Sequence, residues 1–313
     1  MTWAAILLAL VGHVVFSFAD PAITESSGLV DLGDVMVTTN DSGGGALVYV
    51  VDPATGRTVG RTTYADRVVD TEALAPAGGD VVWVGDIGDN AEDRSSIEVY
   101  RVPVGRGDRT VRAPSYRLDY PDGAHDAESL VAAPDGRLYL ITKALLGGTV
   151  YAAPRHLDPA GANRLRAVAT VDVWATDAAL FPDARHVLVR GYDGAVVYTF
   201  PGFQPVAAVD LPRQRQGEGV SIGTSGRIRL SSEGVHSAVL QADLPAEVVA
   251  AMAGRPASTS PSAAPTASAV PAPRAPVVAD DHRWLLFVAA GSGVAAVAIL
   301  LALLPRKRRR SRT

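Results

Sequence analysis

Acidic side chains recur at matched places in this chain. Glu25, Asp70 with Glu72, Asp126 with Glu128, and Glu218 each fall in a short phrase that returns five times. The copies read Glu25-Ser-Ser-Gly-Leu29, Asp70-Thr-Glu-Ala-Leu74, Asp126-Ala-Glu-Ser-Leu130, Thr176-Asp-Ala-Ala-Leu180 and Gln216-Gly-Glu-Gly-Val220. In the fourth copy Asp177 is displaced by one position. If folding brings the copies together, the carboxylates repel, at a cost of several kcal/mol unless something neutralises them. A Ca²⁺ or Mg²⁺ ion does so through hard oxygen ligands. The other reading is structural: the same carboxylates accept backbone N–H groups at the starts of strands. Both stay open on the sequence.

A second polar series follows: Asn40-Asp41-Ser42-Gly43, Asp86-Ile-Gly-Asp89-Asn90, Lys143, Arg190-Gly191-Tyr192-Asp193 and Ser232-Glu233. Asp86, Asp89 and Asn90, with the nearby Asp93, are its densest oxygen cluster. They lack the D-x-[DN]-x-[DN]-G spacing of an EF-hand, and an Asp/Asn/Gly turn is the competing reading. With Glu72, Glu128 and Glu218 they form the expected cation ligand set, Ca²⁺ being the expected ion. Lys143 is the one lysine outside the basic tail. With Arg190, Asn40, Asp41 and Asp126 it forms the expected ligand-binding set, suited to a phosphate or carboxylate bridged by the cation. No catalytic residue is assigned. Gly219-Val-Ser221-Ile-Gly223 matches G-x-S-x-G, but a nucleophile elbow needs a following helix, and none is predicted there. The histidines lack metal-ligand spacing, and only His125, beside Asp126, is placed for acid–base work.

These residues are carried by a repeat. A strand-like run ends near proline five times: LVYVVDP, IEVYRVP, TVYAAP, AVVYTFP and AVLQADLP. The prolines (Pro53, Pro103, Pro154, Pro201 and Pro245) are separated by 50, 51, 47 and 44 residues. Proline closes such strands because it cannot donate into a central ladder. Short alternating runs and turn signals fill each unit, with no long helical period between residues 20 and 245, so the region is all-β. Repeats of this length with three or four strands predict propeller blades. Five units predict a five-bladed β-propeller rather than six blades or a double sandwich, with a C-terminal single transmembrane helix added. The inner strand of each blade then lines the channel and sets the carboxylates at a common hub.

The ends set the expected compartment. Residues 4–19 are almost wholly apolar and end in Ser17-Phe18-Ala19, suited to signal-peptide cleavage before Asp20, although no basic residue precedes them. An uncleaved anchor is the alternative. Residues 284–304 form an uncharged run whose length, about 31 Å as a helix, matches a bilayer core. Arg306, Lys307, Arg308, Arg309, Arg310 and Arg312 follow it, which predicts a cytoplasmic tail at 305–313. Residues 254–281 are rich in Pro, Ala, Ser and Thr and predict a semi-extended stalk. The expected layout is therefore a signal peptide (1–19), an ectodomain (20–250), a stalk and a membrane span, in a single-pass cell-membrane protein facing outward. Its expected partners are the membrane, through the C-terminal helix, and an unknown extracellular ligand or protein. Without the six basic tail residues the balance is 23 basic to 33 acidic, which excludes nucleic acid as a partner. The absence of cysteine excludes disulfides, thiol catalysis and cysteine-ligated metals.

The phrases at residues 25–29 with 40–43, 70–74 with 85–90 and 100–103, and 126–130 with 140–143 resemble exported bacterial β-propeller proteins of the esterase-like phytase or lactonase type. The resemblance spans roughly residues 20–245 and implies a propeller fold and an exported location. The D-A-x-D-D-P run that carries phytase calcium chemistry is missing, and five units replace six, so no activity follows. A non-enzymatic binding module is the leading expectation, since no compact nucleophile or acid–base set is present. The alternative is a cation-dependent phosphoester or ester hydrolase using Asp86, Asp89, Glu72 and Glu128 for metal, and Lys143 with Arg190 for substrate.

Overall fold

The computed structural model describes residues 8–10, 12–41 and 43–254, with main chain only at 8 and 9. Five antiparallel sheets follow one another along the chain. The first holds Ser26–Asp31, Met36–Asn40, Leu47–Val51 and Thr58–Thr63, from inner to outer strand. The second holds Thr71–Pro76, Val81–Asp86, Ile97–Pro103 and Ser115–Asp119. The third holds Ala127–Ala132, Leu138–Thr142, Gly148–Ala152 and Arg166–Val171. The fourth holds Asp177–Leu180, His186–Arg190, Gly194–Thr199 and Pro205–Asp210. The fifth holds Gly217–Ile222, Ile228–Ser232 and Ala238–Ala242, and takes its outer strand, Gly12–Ser17, from the other end of the chain.

Each inner strand packs against the inner strands of its two neighbours, and the fifth returns to the first. The fold is a five-bladed β-propeller. Five apolar clusters hold it together, one between each pair of adjacent blades. The smallest lies between blades five and one and contains Phe16, Phe18, Ile23, Leu29, Met36, Tyr49, Val51 and Val239. Close approach of inner strands there requires glycine: a Cβ on Gly219 would lie 2.5 Å from the Ser27 carbonyl oxygen. That explains half of the G-x-S-x-G match. Ser221 accepts the Asp31 N–H through Oγ at 2.7 Å, and the strand it sits on runs into a further strand, not a helix.

Outer edges are covered by short parallel additions. Arg109–Thr110 pairs with the outer strand of blade one, Ala162–Arg164 with that of blade two, and Leu8–Ala9 with that of blade four. Covering these edges removes templates for unwanted strand pairing.

The two ends bear on the expected layout. The apolar stretch read as a leader provides Gly12–Ser17 to blade five, with Phe16 and Phe18 buried. The expected C-terminal transmembrane helix is corrected: among the described residues the one helix is Ala246–Met252, and none is long and apolar enough to cross a membrane. The residues read as stalk beyond 254, as span (284–304) and as basic tail (305–313) lie outside the described residues.

Candidate cation-binding mouth

A ring of side chains forms where the inner strands begin. Its members are repeat-equivalent: Ser27, Glu72, Glu128, Ala178 and Glu218. In blades one, two, three and five the ladder between inner and second strand slips at this point, between Ser26 and Leu29, Thr71 and Ala73, Ala127 and Ser129, and Gly217 and Val220. A bulge re-aims the side chain it carries. Blade four has no such slip, and Asp177 pairs directly opposite Arg190. The displaced carboxylate noted in the sequence is thus turned out of the ring. Asp177 is fully buried and accepts the N–H groups of Ala178 (2.8 Å) and Val220 (2.7 Å).

The ring carboxylates are buried and interact with one another. Burial raises Glu72, and Glu128, Asp41 and Asp70 push it further in the same direction. Glu128 is also raised by burial, while Lys143 pulls it back and Glu218 adds to the rise. Burial lifts Glu218 to about 7, with Lys143 opposing and Glu233 assisting. Asp70 is lifted to about 6 by burial, then by Asp41 and Asp126. A carboxylate is held neutral in this way when desolvation is not matched by a nearby positive charge.

One cation is built in. Lys143, at the exit of the second strand of blade three, places Nζ 2.6 Å from Glu128 Oε1 and 5.6 Å from the centre of the Tyr192 ring. Burial works against its charge, but Glu128 more than offsets this and holds the ammonium above the ordinary lysine range. Trp174 lies edge-on to Tyr192 with ring centres 5.4 Å apart. Beyond that pair a groove of about 370 Å³ runs along blade four, lined by Trp174, Tyr192, Asp172, Asp193 and Asp210.

On the other side of the mouth, Asp41, Asp70 and Glu72 converge, with one oxygen from each lying within 4.8 Å of the others. Asp70 is 9% exposed, and its Oδ1 is buried without a hydrogen-bond partner. An orphan carboxylate oxygen costs free energy unless a donor or cation meets it. The donor set is all hard oxygen, the kind Ca²⁺ and Mg²⁺ take.

Of the expected cation ligands, Glu72, Glu128 and Glu218 therefore stand at the mouth. Asp86 does not serve there: its two oxygens accept Asp70 N–H (2.8 Å) and Val69 N–H (3.0 Å), and Arg94 pairs with it at 3.0 Å. Asp89 accepts the N–H groups of Asp93 and Arg94, and Asn90 is exposed on the same loop. The turn reading holds for that segment.

Of the expected ligand-binding residues, Lys143, Asp41 and Asp126 belong to the mouth, Asp126 also accepting Asp89 N–H at 2.8 Å. Asn40 is structural: its Oδ1 accepts Thr24 and Glu25 N–H and its Nδ2 donates to the Ala22 carbonyl. Asn40 and Asp86 end the second strands of their blades and bind the start of the neighbouring inner strand in the same way.

Arg190 is also removed from the ligand set. It is fully buried, donating to the carbonyls of Gly219 (2.5 Å) and Ser231 (2.8 Å) and to Gln214 Oε1 (2.9 Å). Arg190→Met is expected to destabilise the protein by roughly 3–5 kcal/mol, because it strands these acceptors and removes a positive charge that acts on Asp177 and Glu218. Denaturant unfolding of the variant checks this.

His125 is engaged away from the ring. Its Nε2 lies 3.1 Å from Asp122 Oδ1 and 2.9 Å from the Tyr151 hydroxyl. Tyr192, Glu233 and Ser27 are mouth residues that were not singled out as site residues. Ser27 is equivalent to Glu72, and Glu233 to Asp41 and Lys143, and that is the signal that finds them; Tyr192, two residues past its strand end, has no such equivalent.

No family model matches the chain, and no curated protein sequence matches it. Among solved structures it is similar to the glutaminyl cyclase of Myxococcus xanthus, at 11% identity and TM-score 0.48, covering 76% of this chain and 100% of that one. It is also similar to a Xanthomonas campestris gluconolactonase, at 15% identity and TM-score 0.44, covering 75% and 90% of the two chains. A third is the PQQ-bound aldose sugar dehydrogenase of Streptomyces coelicolor, at 12% identity and TM-score 0.44, covering 75% and 98%.

Proposed function

We propose that the protein is a binding module whose mouth takes one hard divalent cation, Ca²⁺ in the first instance, between Asp41, Asp70 and Glu72. The observation that carries this reading is the buried, unpartnered Asp70 Oδ1 inside a cluster of convergent carboxylates. Ca²⁺ takes about 6–8 oxygens, and one oxygen from each of these three carboxylates converges here. Coordination positions are then left for oxygens of a bound molecule: a carboxylate, a phosphate or a pair of hydroxyls. Lys143 is already engaged by Glu128 and Arg190 is enclosed, so the cation itself is the group that attracts an anionic oxygen.

Titration calorimetry with CaCl₂ tests the reading. We expect one bound ion, protons released on binding, and affinity reduced at least about tenfold in Asp70→Asn, which keeps the shape and removes the charge. Absence of Ca²⁺ and Mg²⁺ binding to the wild-type protein, or an Asp70→Asn variant that binds like wild type, overturns it. Turnover of a phosphoester or ester substrate that is lost in Asp70→Asn would replace the binding module with a hydrolase.

A further inference from the structure

The mouth has a second half with its own unmet charge. Glu128 and Glu218, both less than 5% exposed, hold equivalent ring positions on either side of blade four, which contributes only Ala178, and Glu218 acts electrostatically on Glu128. Glu218 Oε2 is buried and lacks a hydrogen-bond partner. The Lys143 ammonium touches Glu128 and acts electrostatically on Glu72, Asp126, Glu218 and Glu233, and the enclosed Arg190 guanidinium also acts on Glu218. The Tyr192 ring closes the pocket on the blade-four side. This arrangement has the elements of a cation site: two buried carboxylates, an orphan oxygen and an aromatic wall, with the protein's own ammonium as occupant.

We propose that Lys143 is the resident cation of a second metal position formed by Glu128 and Glu218, and that emptying this position hands it to a divalent ion. The proposal concerns the same mouth as the Ca²⁺ reading above, but it uses different ligands and can stand or fall separately. A single positive charge on a flexible four-carbon stem is a poor match for two carboxylates plus a neighbouring third. A divalent ion neutralises both and meets the orphan oxygen as well.

The test is the number of Ca²⁺ ions bound, by equilibrium dialysis and calorimetry, to wild type, Lys143→Met and Lys143→Arg. Lys143→Met is expected to bind one more ion than wild type, and Lys143→Arg the same number as wild type. Adding Glu218→Gln to Lys143→Met should remove the extra ion. Equal stoichiometry in wild type and Lys143→Met overturns the proposal. If wild type binds none and Lys143→Met binds one, this proposal holds and the Asp41–Asp70–Glu72 reading fails. If Lys143→Met is recovered only unfolded, millimolar Ca²⁺ is expected to restore its near-ultraviolet circular dichroism. Failure of Ca²⁺ to do so, with Lys143→Arg folded, also overturns it.

Discussion

In the absence of divalent cations, the protein is expected to lose stability as the pH is raised from about 5 to about 8. Most proteins gain stability or hold it over the lower part of this range, so the sign is informative. Here Asp70 is lifted to about 6 and Glu218 to about 7, and Glu72, Glu128, Asp177 and Glu233 are raised as well, burial being the first cause in each. Between the ordinary carboxylate value and these raised values, the folded protein binds more protons than the unfolded chain. Stability therefore falls as pH climbs through that window and levels off above it. Asp20 and Asp183 are shifted the opposite way, burial being outweighed by hydrogen bonds and by their Arg61 and His186 partners, and so act only at lower pH. One pKa unit corresponds to about 1.4 kcal/mol, so the mouth alone is worth on the order of a few kcal/mol. Ca²⁺ should replace the protons and restore most of the loss at the alkaline end. Thermal unfolding in chelator and in CaCl₂ at several pH values checks both halves. A metal-free protein whose stability rises from pH 5 to 8 would mean that the ring is hydrated rather than desolvated.

The second large effect concerns the strand that closes the wheel. Removing residues 1–19 is expected to leave a chain that does not fold stably, and Phe18→Ala alone to cost about 3–5 kcal/mol. Gly12–Ser17 is the outer strand of blade five, and Phe18 N–H and Ala19 N–H go on to bond Ser237 and Gly56 carbonyls across the seam with blade one. Phe16 and Phe18 stack edge-to-face, with centroids 5.6 Å apart, in the smallest inter-blade cluster. Their loss takes away at least roughly 3–6 kcal/mol of apolar burial, against a total stability of about 5–15 kcal/mol. Circular dichroism and size-exclusion chromatography of the truncated and full chains, with Phe18→Ala as the milder case, measure this. A truncated protein that melts like the full chain would show that the strand is dispensable.

The blade count was legible because two phrases recur in fixed order, and both lie on the buried inner and third strands. The outer strands were not. Thr58–Thr63 and Arg166–Val171 are half exposed and keep no common pattern. The closing strand was hidden for a different reason. An apolar run such as HVVF suits a leader or a strand equally well, and its strand pairing is with Ala238–Ala242, more than 200 residues away. In the mouth, the shared position of Glu72, Glu128 and Glu218 was legible because repeat register fixes their common height. Asp86 and Asp89 were misplaced because two short carboxylates near glycine look the same in sequence whether they hold an ion or a turn. Their partners, the N–H groups of residues 69, 70, 93 and 94, are set by folding. Lys143 stands out in the sequence by its rarity, but Glu128 engages it from within, which residue type alone does not reveal.

Past the ring, the middle and far ends of all five inner strands enclose a cavity of only about 50 Å³, walled largely by Leu, Val and Ala. That is space for a few water molecules. The residues that line it at the strand ends, Asp31, Pro76, Ala132, Leu180 and Ile222, are partly or fully exposed, so this narrow space opens at the end of the axis opposite the carboxylates. The axis therefore presents two chemically distinct ends, an acidic mouth and a largely apolar pit.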